Sequence, residues 1–310
     1  MKIITLTLCP AFDLHCCVKD FKPFHENTAD ITAFDAGGKG VNISRALTAG
    51  GTDNVAVVAI GTENGAAFLE KLRADGVCCE TITVSGRIRE NITVHTADAP
   101  ETRISFRGFS VGADFTGIVR ERVLRLAVPG TVVTFTGRLP QGTDKAAIIA
   151  LIRELADNGI PSVIDSKSFT LADLIEARPW LIKPNEEELA DYAGVTADDA
   201  ESAADAARML RDRGIENVMI SLGGRGAVLA CGDGVFAANA PCVKVASTIG
   251  AGDSAIAGFI AAYARGENAA ESLRTAMIYG AAACMQEGTL PPEKSDLEQL
   301  DPLVRVLRIR

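Results

Sequence analysis

Short apolar runs that alternate with helical segments, several closed by glycine, constrain this 310-residue chain more than any other feature. Residues 1–8 form a β-type run that Pro10 closes, and 54–60 form a second, followed by Gly61, a helix at about 65–74 and Gly76. A β-branched strand at 131–136 precedes a helix from about 144 to 158 that stops at Gly159, and 160–165 is the next strand. Strands at 180–184 and 217–222 flank a helix at 200–213 that ends at Gly214. Apolar strands returned by helices belong to a parallel sheet, so the expected class is α/β.

Other segments do not follow that rhythm. Residues 14–34 read as two short exposed strands, an excursion from the main sheet. Residues 81–84 and 88–96 are again strand-like, and 102–106 runs back as a hairpin partner after the turn Asp98-Ala99-Pro100. A helix at 113–126, a hairpin with arms at 228–231 and 235–238, an Ala-rich helix at 268–287 and an amphipathic tail after Pro291 complete the chain. No internal repeat or linker divides it, and a single domain over 1–310 is expected.

Composition removes several functions. A net charge of −9 argues against a nucleic-acid surface, which needs a basic face. No apolar segment reaches the roughly 18–20 residues of a membrane span, and 1–8 is too short for a signal-peptide core. The eight cysteines include the vicinal pairs Cys16-Cys17 and Cys78-Cys79 but no Cys-x-x-Cys, the usage of reduced thiols. A cytoplasmic protein without nucleic-acid or membrane partners is the expectation.

The chemistry concentrates at Ser247-Thr248-Ile249-Gly250-Ala251-Gly252-Asp253-Ser254. An apolar run at 243–246 precedes it and an Ala-rich segment follows, which reads as strand, glycine turn and helix. Glycines on either side of Ala251 let successive amides converge on an anion at a helix N-terminus. Asp253 would repel that anion unless it has a task such as taking a proton from an attacking hydroxyl, which points to phosphoryl transfer. A plain helix cap explains the same residues structurally.

Further candidates lie along the chain. Asp13 stands past the first strand, as a ligand group or a turn residue. In Asp35-Ala36-Gly37-Gly38-Lys39-Gly40-Val41-Asn42, which leads into a helix at 43–49, Lys39 and Asn42 can reach anions and hydroxyls, although this is no Walker A loop. Asp165 is another carboxylate at a strand's carboxyl end. Arg87, Arg89, Arg103 and Arg107 crowd one hairpin, a phosphate clamp or a solvated charged face. Asn185 and Glu188 fit a capping box or, for Glu188, a hydrated Mg²⁺. Gly223-Gly224-Arg225-Gly226-Ala227 suits a nucleotide or a hairpin turn.

The order of these motifs is more specific than any one of them. Gly-Gly-Lys-Gly-x-Asn near 40, Lys-Pro-Asn-x-x-Glu near 185, Ser-Leu-Gly-x-x-Gly-Ala near 221 and Thr-x-Gly-Ala-Gly-Asp near 250 together resemble the PfkB branch of the ribokinase-like carbohydrate kinases. Thr7-Leu8-Cys9-Pro10-Ala11-Phe12-Asp13, with Arg89-Glu90-Asn91 and Arg103, is most similar to the 1-phosphofructokinase and tagatose-6-phosphate kinase group. The resemblance implies a three-layer α/β/α sandwich with a mostly parallel central sheet and a small β-sheet lid from strands at about 14–35 and 89–107. It implies an ATP- and Mg²⁺-dependent kinase of a sugar phosphate, first of all fructose 1-phosphate, with a monovalent cation left open; an exposed lid sheet with free edges favours pairing into a homodimer through the lid.

The roles that follow from the resemblance attach to matching residues only. Asp253 is the base, with Gly250, Ala251 and Gly252 supplying the anion hole. Asp13, Gly38, Lys39 and Asn42 hold the sugar, and Arg89 and Arg103 hold its phosphate. Lys183, Asn185, Ser221, Gly223, Gly226, Thr248 and Gly252 serve the nucleotide, and Glu188 organises Mg²⁺ through water. Two residues depart from the group's pattern: Cys9 stands where asparagine is usual and Arg138 where serine is usual. Arg138 either reaches an anionic group on the substrate or fills space. A kinase of tagatose 6-phosphate, of an unphosphorylated sugar or of a nucleoside, and a non-catalytic sugar-phosphate sensor, are the alternatives.

Overall fold

The structure, a computed structural model, describes residues 1–96 and 101–310. The turn expected at Asp98-Ala99-Pro100 lies outside the described residues. The first half of the chain runs β1 (Lys2–Thr7), β2 (Ala11–Val18), β3 (Asp30–Gly37), α1 (Lys39–Ala49), β4 (Asn54–Gly61), α2 (Gly65–Ala74), β5 (Cys79–Val84), β6 (Arg89–Thr96), β7 (Thr102–Ser105), α3 (Phe115–Leu126), β8 (Thr131–Thr136) and α4 (Lys145–Asp157). It continues with β9 (Ser162–Asp165), α5 (Leu171–Ala177), β10 (Leu181–Ile182), α6 (Glu186–Ala193), α7 (Ala200–Asp212), β11 (Asn217–Ser221), β12 (Ala227–Cys231), β13 (Gly234–Ala238), α8 (Ala251–Ala264), α9 (Ala269–Cys284), α10 (Lys294–Leu300) and β14 (Val306–Arg308).

The large sheet has the order β14-β13-β12-β11-β10-β9-β8-β1-β4-β5. It is parallel from β11 through β5, and the pairs β11·β12, β12·β13 and β13·β14 are antiparallel. Period-2 alternation splits the apolar strands between two cores: in β1, Ile4 and Leu6 face one layer and Ile3 the other. Phe68, Leu72, Val119, Ile152 and Leu210 cover the first face from α2, α3, α4 and α7, while Ile43, Ile256, Phe259 and Leu273 cover the second from α1, α8 and α9. The result is the three-layer, mostly parallel ribokinase-like sandwich that the motifs implied.

Four strands form a separate small sheet, β3-β2-β6-β7, in which β2 pairs parallel with β6 and antiparallel with β3. Phe12 of β2 fixes it to the body, stacking on Phe34 at 4.8 Å and meeting Phe68 of α2 edge-on at 5.2 Å. Consequently β2 is mostly buried, against the expectation of two exposed strands, while β3 is largely exposed as expected. Asp13 lies inside β2, a ladder residue rather than a turn residue.

Two further expectations need correction. The apolar run at 243–246 is not a strand: Val245 is exposed, and the Ala246 and Ser247 amides both donate to the Cys284 carbonyl at the end of α9, so the segment is tied to a helix and not to the sheet. Helix α1 begins at Lys39, four residues before the expected start, with the Asn42 amide bonded to the Gly38 carbonyl at 2.9 Å. Its glycine is weak in helix propensity, but a Cβ on Gly40 would lie 2.3 Å from the Leu6 carbonyl oxygen, so close packing on β1 decides the residue. Helix α5 and the edge strand β14 were not foreseen. No helix among the described residues is long and apolar enough to cross a membrane.

Candidate active site

The carboxyl ends of β1, β8 and β9, the N-termini of α1 and α8, and the inner face of the small sheet enclose a cavity of about 600 Å³. This is where an open α/β sheet presents its ligand groups. Asp13, Gly38, Lys39, Asn42, Arg89, Arg103, Arg138, Lys183, Asn185, Glu188, Thr248, Gly250, Gly252 and Asp253 all line it. A second cavity of about 700 Å³ is lined by Asn185, Ser221, Gly223, Gly226, Thr248, Ala251 and Gly252, with an apolar wall that includes Pro241, Val243, Val245, Met277 and Ala281. Asn185, Thr248 and Gly252 belong to both. Every residue to which the resemblance assigned a role therefore lines one or both of two adjoining chambers, whereas Arg87 and Arg107 line neither.

The junction is built by α8. Its N-cap, Gly250, has φ 82°, a left-handed conformation that a side chain would strain. The Ala251 amide leans on the Thr248 carbonyl at 3.4 Å, and the Ser254 amide returns to Gly250 at 2.9 Å. The Gly252 and Asp253 amides have no carbonyl four residues back within the helix and lie at its positive end.

Asp253 is 7% exposed, and Asn42 of α1 donates to its Oδ2 at 2.8 Å. Burial pushes its carboxyl up to about 6, opposed by the Lys39 charge and the Asn42 bond and helped by the nearby Asp165. Lys39 does not pair with Asp253; its ammonium donates to Asp165 Oδ1 at 2.9 Å. Burial would lower the Lys39 pKa, but Asp165 and Asp253 outweigh it and hold it above the ordinary lysine value. Asp165 lies 3.9 Å from Lys183 as well, and the two lysines hold its carboxyl down against the effect of its own burial.

On the small sheet, Asp13 receives Asn91 Nδ2 at 2.7 Å and Arg103 Nη2 at 3.0 Å. Arg89 donates to Asn91 Oδ1 and the Phe106 carbonyl, each at 3.3 Å. Arg87 instead pairs with Glu90 on the surface, the solvated-face alternative. The capping box is present at α6: Glu188 N–H donates to Asn185 Oδ1 at 2.8 Å and Asn185 N–H to Glu188 Oε2 at 3.2 Å. It consumes one Glu188 oxygen, and the buried side chain still faces the cavity.

Sequence reasoning noticed Asp165 only as a strand-end carboxylate and gave it no role. Thr7 and Asn91 were quoted in motifs without a function, and Ser105, Thr136, Lys167 and Thr289 were passed over although they line the first cavity. The hydroxyl of Thr289 is buried without a hydrogen-bond partner, a signal only three-dimensional packing reveals.

A family model described as "pfkB family carbohydrate kinase" matches residues 7–296. The chain belongs to this family. It is thus a sugar kinase, similar to the 1-phosphofructokinase of Haemophilus influenzae, with 31% identity over 99% of this chain and 97% of that one. The 1-phosphofructokinase of Escherichia coli K12 is 32% identical over 92% of this chain and 91% of its own length. Among solved structures, phosphofructokinase-2 from Escherichia coli in complex with substrates and products superposes with a TM-score of 0.91 at 25% identity, covering 98% of this chain and 99% of that chain.

A PfkB kinase uses ATP and a divalent metal, and the residues here suit a hard cation. Asp165 Oδ2 is buried without a hydrogen-bond partner, and Glu188 keeps an oxygen outside the capping box. Among the described residues no group of three or more His, Cys, Asp or Glu converges as a cage. That fits Mg²⁺, which takes one or two carboxylates and fills its shell with waters and phosphate oxygens.

Proposed function

We propose that the protein transfers the γ-phosphoryl group of ATP to a hydroxyl of a sugar phosphate, with fructose 1-phosphate going to fructose 1,6-bisphosphate as the first candidate. The observation that carries the reading is the meeting of two cavities at Asn185, Thr248 and Gly252, with Asp253 at the junction. The naming of full-length relatives as 1-phosphofructokinases supports the substrate.

In this reading the nucleotide base lies against the apolar wall of the second cavity, and its phosphates run past Lys183 and Asn185 toward the α8 amides. Glu188 and Asp165 would hold Mg²⁺ through water, and the ion would supply charge neutralisation to the phosphates. The sugar lies in the first cavity against Asp13, Gly38 and Lys39. Asn42 occupies Oδ2 of Asp253 and leaves Oδ1 to take the hydroxyl proton. As the sugar oxygen bonds to the γ-phosphorus, the bond from phosphorus to the β-bridging oxygen breaks and ADP departs. A carboxyl raised to about 6 is a better base than an ordinary aspartate and remains ionised at neutral pH. The amides of Gly250 to Asp253 stabilise charge on the migrating group.

The small sheet acts as a lid that excludes water. Its apolar residues Ile31, Phe34, Ile104 and Phe106 are exposed, which supports pairing of two lids in a homodimer. A phosphofructokinase-2 structure contains potassium, which supports testing a monovalent cation here.

Coupled measurement of ADP release across fructose 1-phosphate, fructose 6-phosphate, tagatose 6-phosphate and free fructose tests the reading. Turnover is expected with a phosphorylated ketose, fastest with fructose 1-phosphate. ADP release with none of the sugar phosphates overturns it.

A further inference from the structure

Nine buried side-chain atoms among the described residues have no hydrogen-bond partner, and five of them belong to residues that line the first cavity: Thr7 Oγ1, Asn42 Oδ1, Arg89 Nε, Asp165 Oδ2 and Thr289 Oγ1. Unpaired buried polar atoms are few in a folded chain and each costs stability, so their concentration at one cavity marks a surface that a ligand completes. Thr7 is turned under α1, where a Cβ on Gly40 would lie 2.5 Å from its Oγ1. Asn42, Asp165 and Arg89 already bond through other atoms, to Asp253, Lys39 and Asn91. That leaves Thr289, only 5% exposed, whose hydroxyl is its single polar side-chain group.

The position of Thr289 is fixed from two sides. Its Cα lies 4.0 Å from where a Cβ on Gly250 would stand, so it backs the start of α8 beside Asp253. A Cβ on the preceding Gly288 would lie 3.5 Å from His15 Nε2 of β2, so the same segment touches the small sheet. Gly288 has φ 60°, and the Leu290 amide donates to the Glu287 carbonyl at 3.3 Å, a turn that holds Thr289 at a central position. Thr289 lines the first cavity and not the second, which puts it on the acceptor's side of the junction. A hydroxyl is uncharged and both donates and accepts, so its complement is another hydroxyl, whereas phosphates call for cations and amides. We propose that Thr289 is a specificity-determining residue, its hydroxyl bonded to a hydroxyl of the acceptor sugar other than the one phosphorylated. The sugar then supplies the partner that the fold withholds.

The inference rests on the sugar-phosphate kinase reading, so it is measured with fructose 1-phosphate or whichever other sugar phosphate the wild type turns over. Thr289→Val keeps the branched shape and removes the hydroxyl. Its KM for the sugar phosphate should rise about tenfold, with kcat within a few-fold and the KM for ATP unchanged, the pattern of a lost acceptor contact. Thr289→Ser keeps the hydroxyl and should stay within a few-fold of wild type. Thermal unfolding adds a readout that a structural hydroxyl would move the other way. Without ligand the Val variant should melt no lower than wild type, because the group it loses was unpaired, while its stabilisation by the sugar phosphate should shrink. A Val variant with unchanged KM, whether or not it melts lower, overturns the inference and leaves the kinase reading intact. A Ser variant as impaired as the Val variant overturns it too, by assigning the effect to packing of the methyl group. A wild type that turns over no sugar phosphate removes the kinase reading and the inference with it.

Discussion

Asn42 Nδ2 and Asp253 Oδ2 meet at 2.8 Å across the seam between α1 and α8, joining two glycine-rich helix starts that are 211 residues apart in sequence. The bond is a device for aiming a carboxylate. With one oxygen held, the other has a fixed direction into the cavity. Asn42→Ala should lower kcat about 10- to 100-fold while the KM for ATP stays near its wild-type value, because the base remains and loses only its orientation. Removing the bond also removes a stabiliser of the ionised form, so the acidic limb of the pH–rate profile should move upward. An unmoved limb together with full kcat would show that the bond aims nothing.

Asp253 itself couples activity to pH and to stability. As a base it must be ionised, so kcat/KM should fall as pH drops through about 6. Asp253→Asn keeps the Asn42 contact and should retain ATP binding while losing turnover by about three orders of magnitude or more. The stability effect runs the other way. Its folded pKa, about 6, lies above the unfolded value of 3.8, so the wild type binds more protons when folded and loses stability as pH rises between those values. Above that window the buried charge costs up to roughly 3 kcal/mol, and the neutral amide escapes the cost. Denaturant unfolding should find the variant more stable at pH 8 and level with the wild type near pH 3.5. Equal stability at both would mean that the carboxylate is not strained by burial.

The fold was legible because its signal is redundant. Six parallel pairings arise from apolar runs whose helices and terminating glycines repeat the same message. The motif residues were legible as an ordered set, and those given a role line the two cavities. What escaped has a physical reason. The run at 243–246 has strand composition, but its amides go to the Cys284 carbonyl and its side chains wall a cavity, neither of which local pattern encodes. Lys39-Gly40-Val41-Asn42 reads as a loop by propensity, and tertiary packing on Leu6 makes it the first turn of α1. The commitment of Arg103 to Asp13 spans 90 residues, and no spacing rule relates a hairpin arginine to a carboxylate that far away.

Gly252 tests the junction between the chambers. A Cβ built on it would lie 3.1 Å from Lys183 Nζ, the tip of a flexible side chain, so Gly252→Ala should fold normally with only a few tenths of an ångström of adjustment. The methyl group would nonetheless stand between the α8 amides and the lysine, where the transferring group must pass. Turnover should drop at least about 100-fold with a melting temperature within a few degrees of wild type. Normal turnover would move the phosphoryl path away from this glycine.

Glu188 is claimed by two roles that one substitution can separate. Its backbone amide and Oε2 close the capping box with Asn185, and its cavity face is the proposed Mg²⁺ contact. Glutamine also serves at this position of a capping box, so Glu188→Gln should keep the thermal stability of α6 and its surroundings. It removes the negative charge that a hydrated Mg²⁺ would feel, so the Mg²⁺ concentration for half-maximal activity should rise about tenfold or more. Glu188→Ala loses the reciprocal bond as well, and should add a destabilisation of about 1 kcal/mol by denaturant unfolding. A Gln variant with unchanged Mg²⁺ dependence and an Ala variant that is merely less stable would leave the glutamate a capping residue and nothing more.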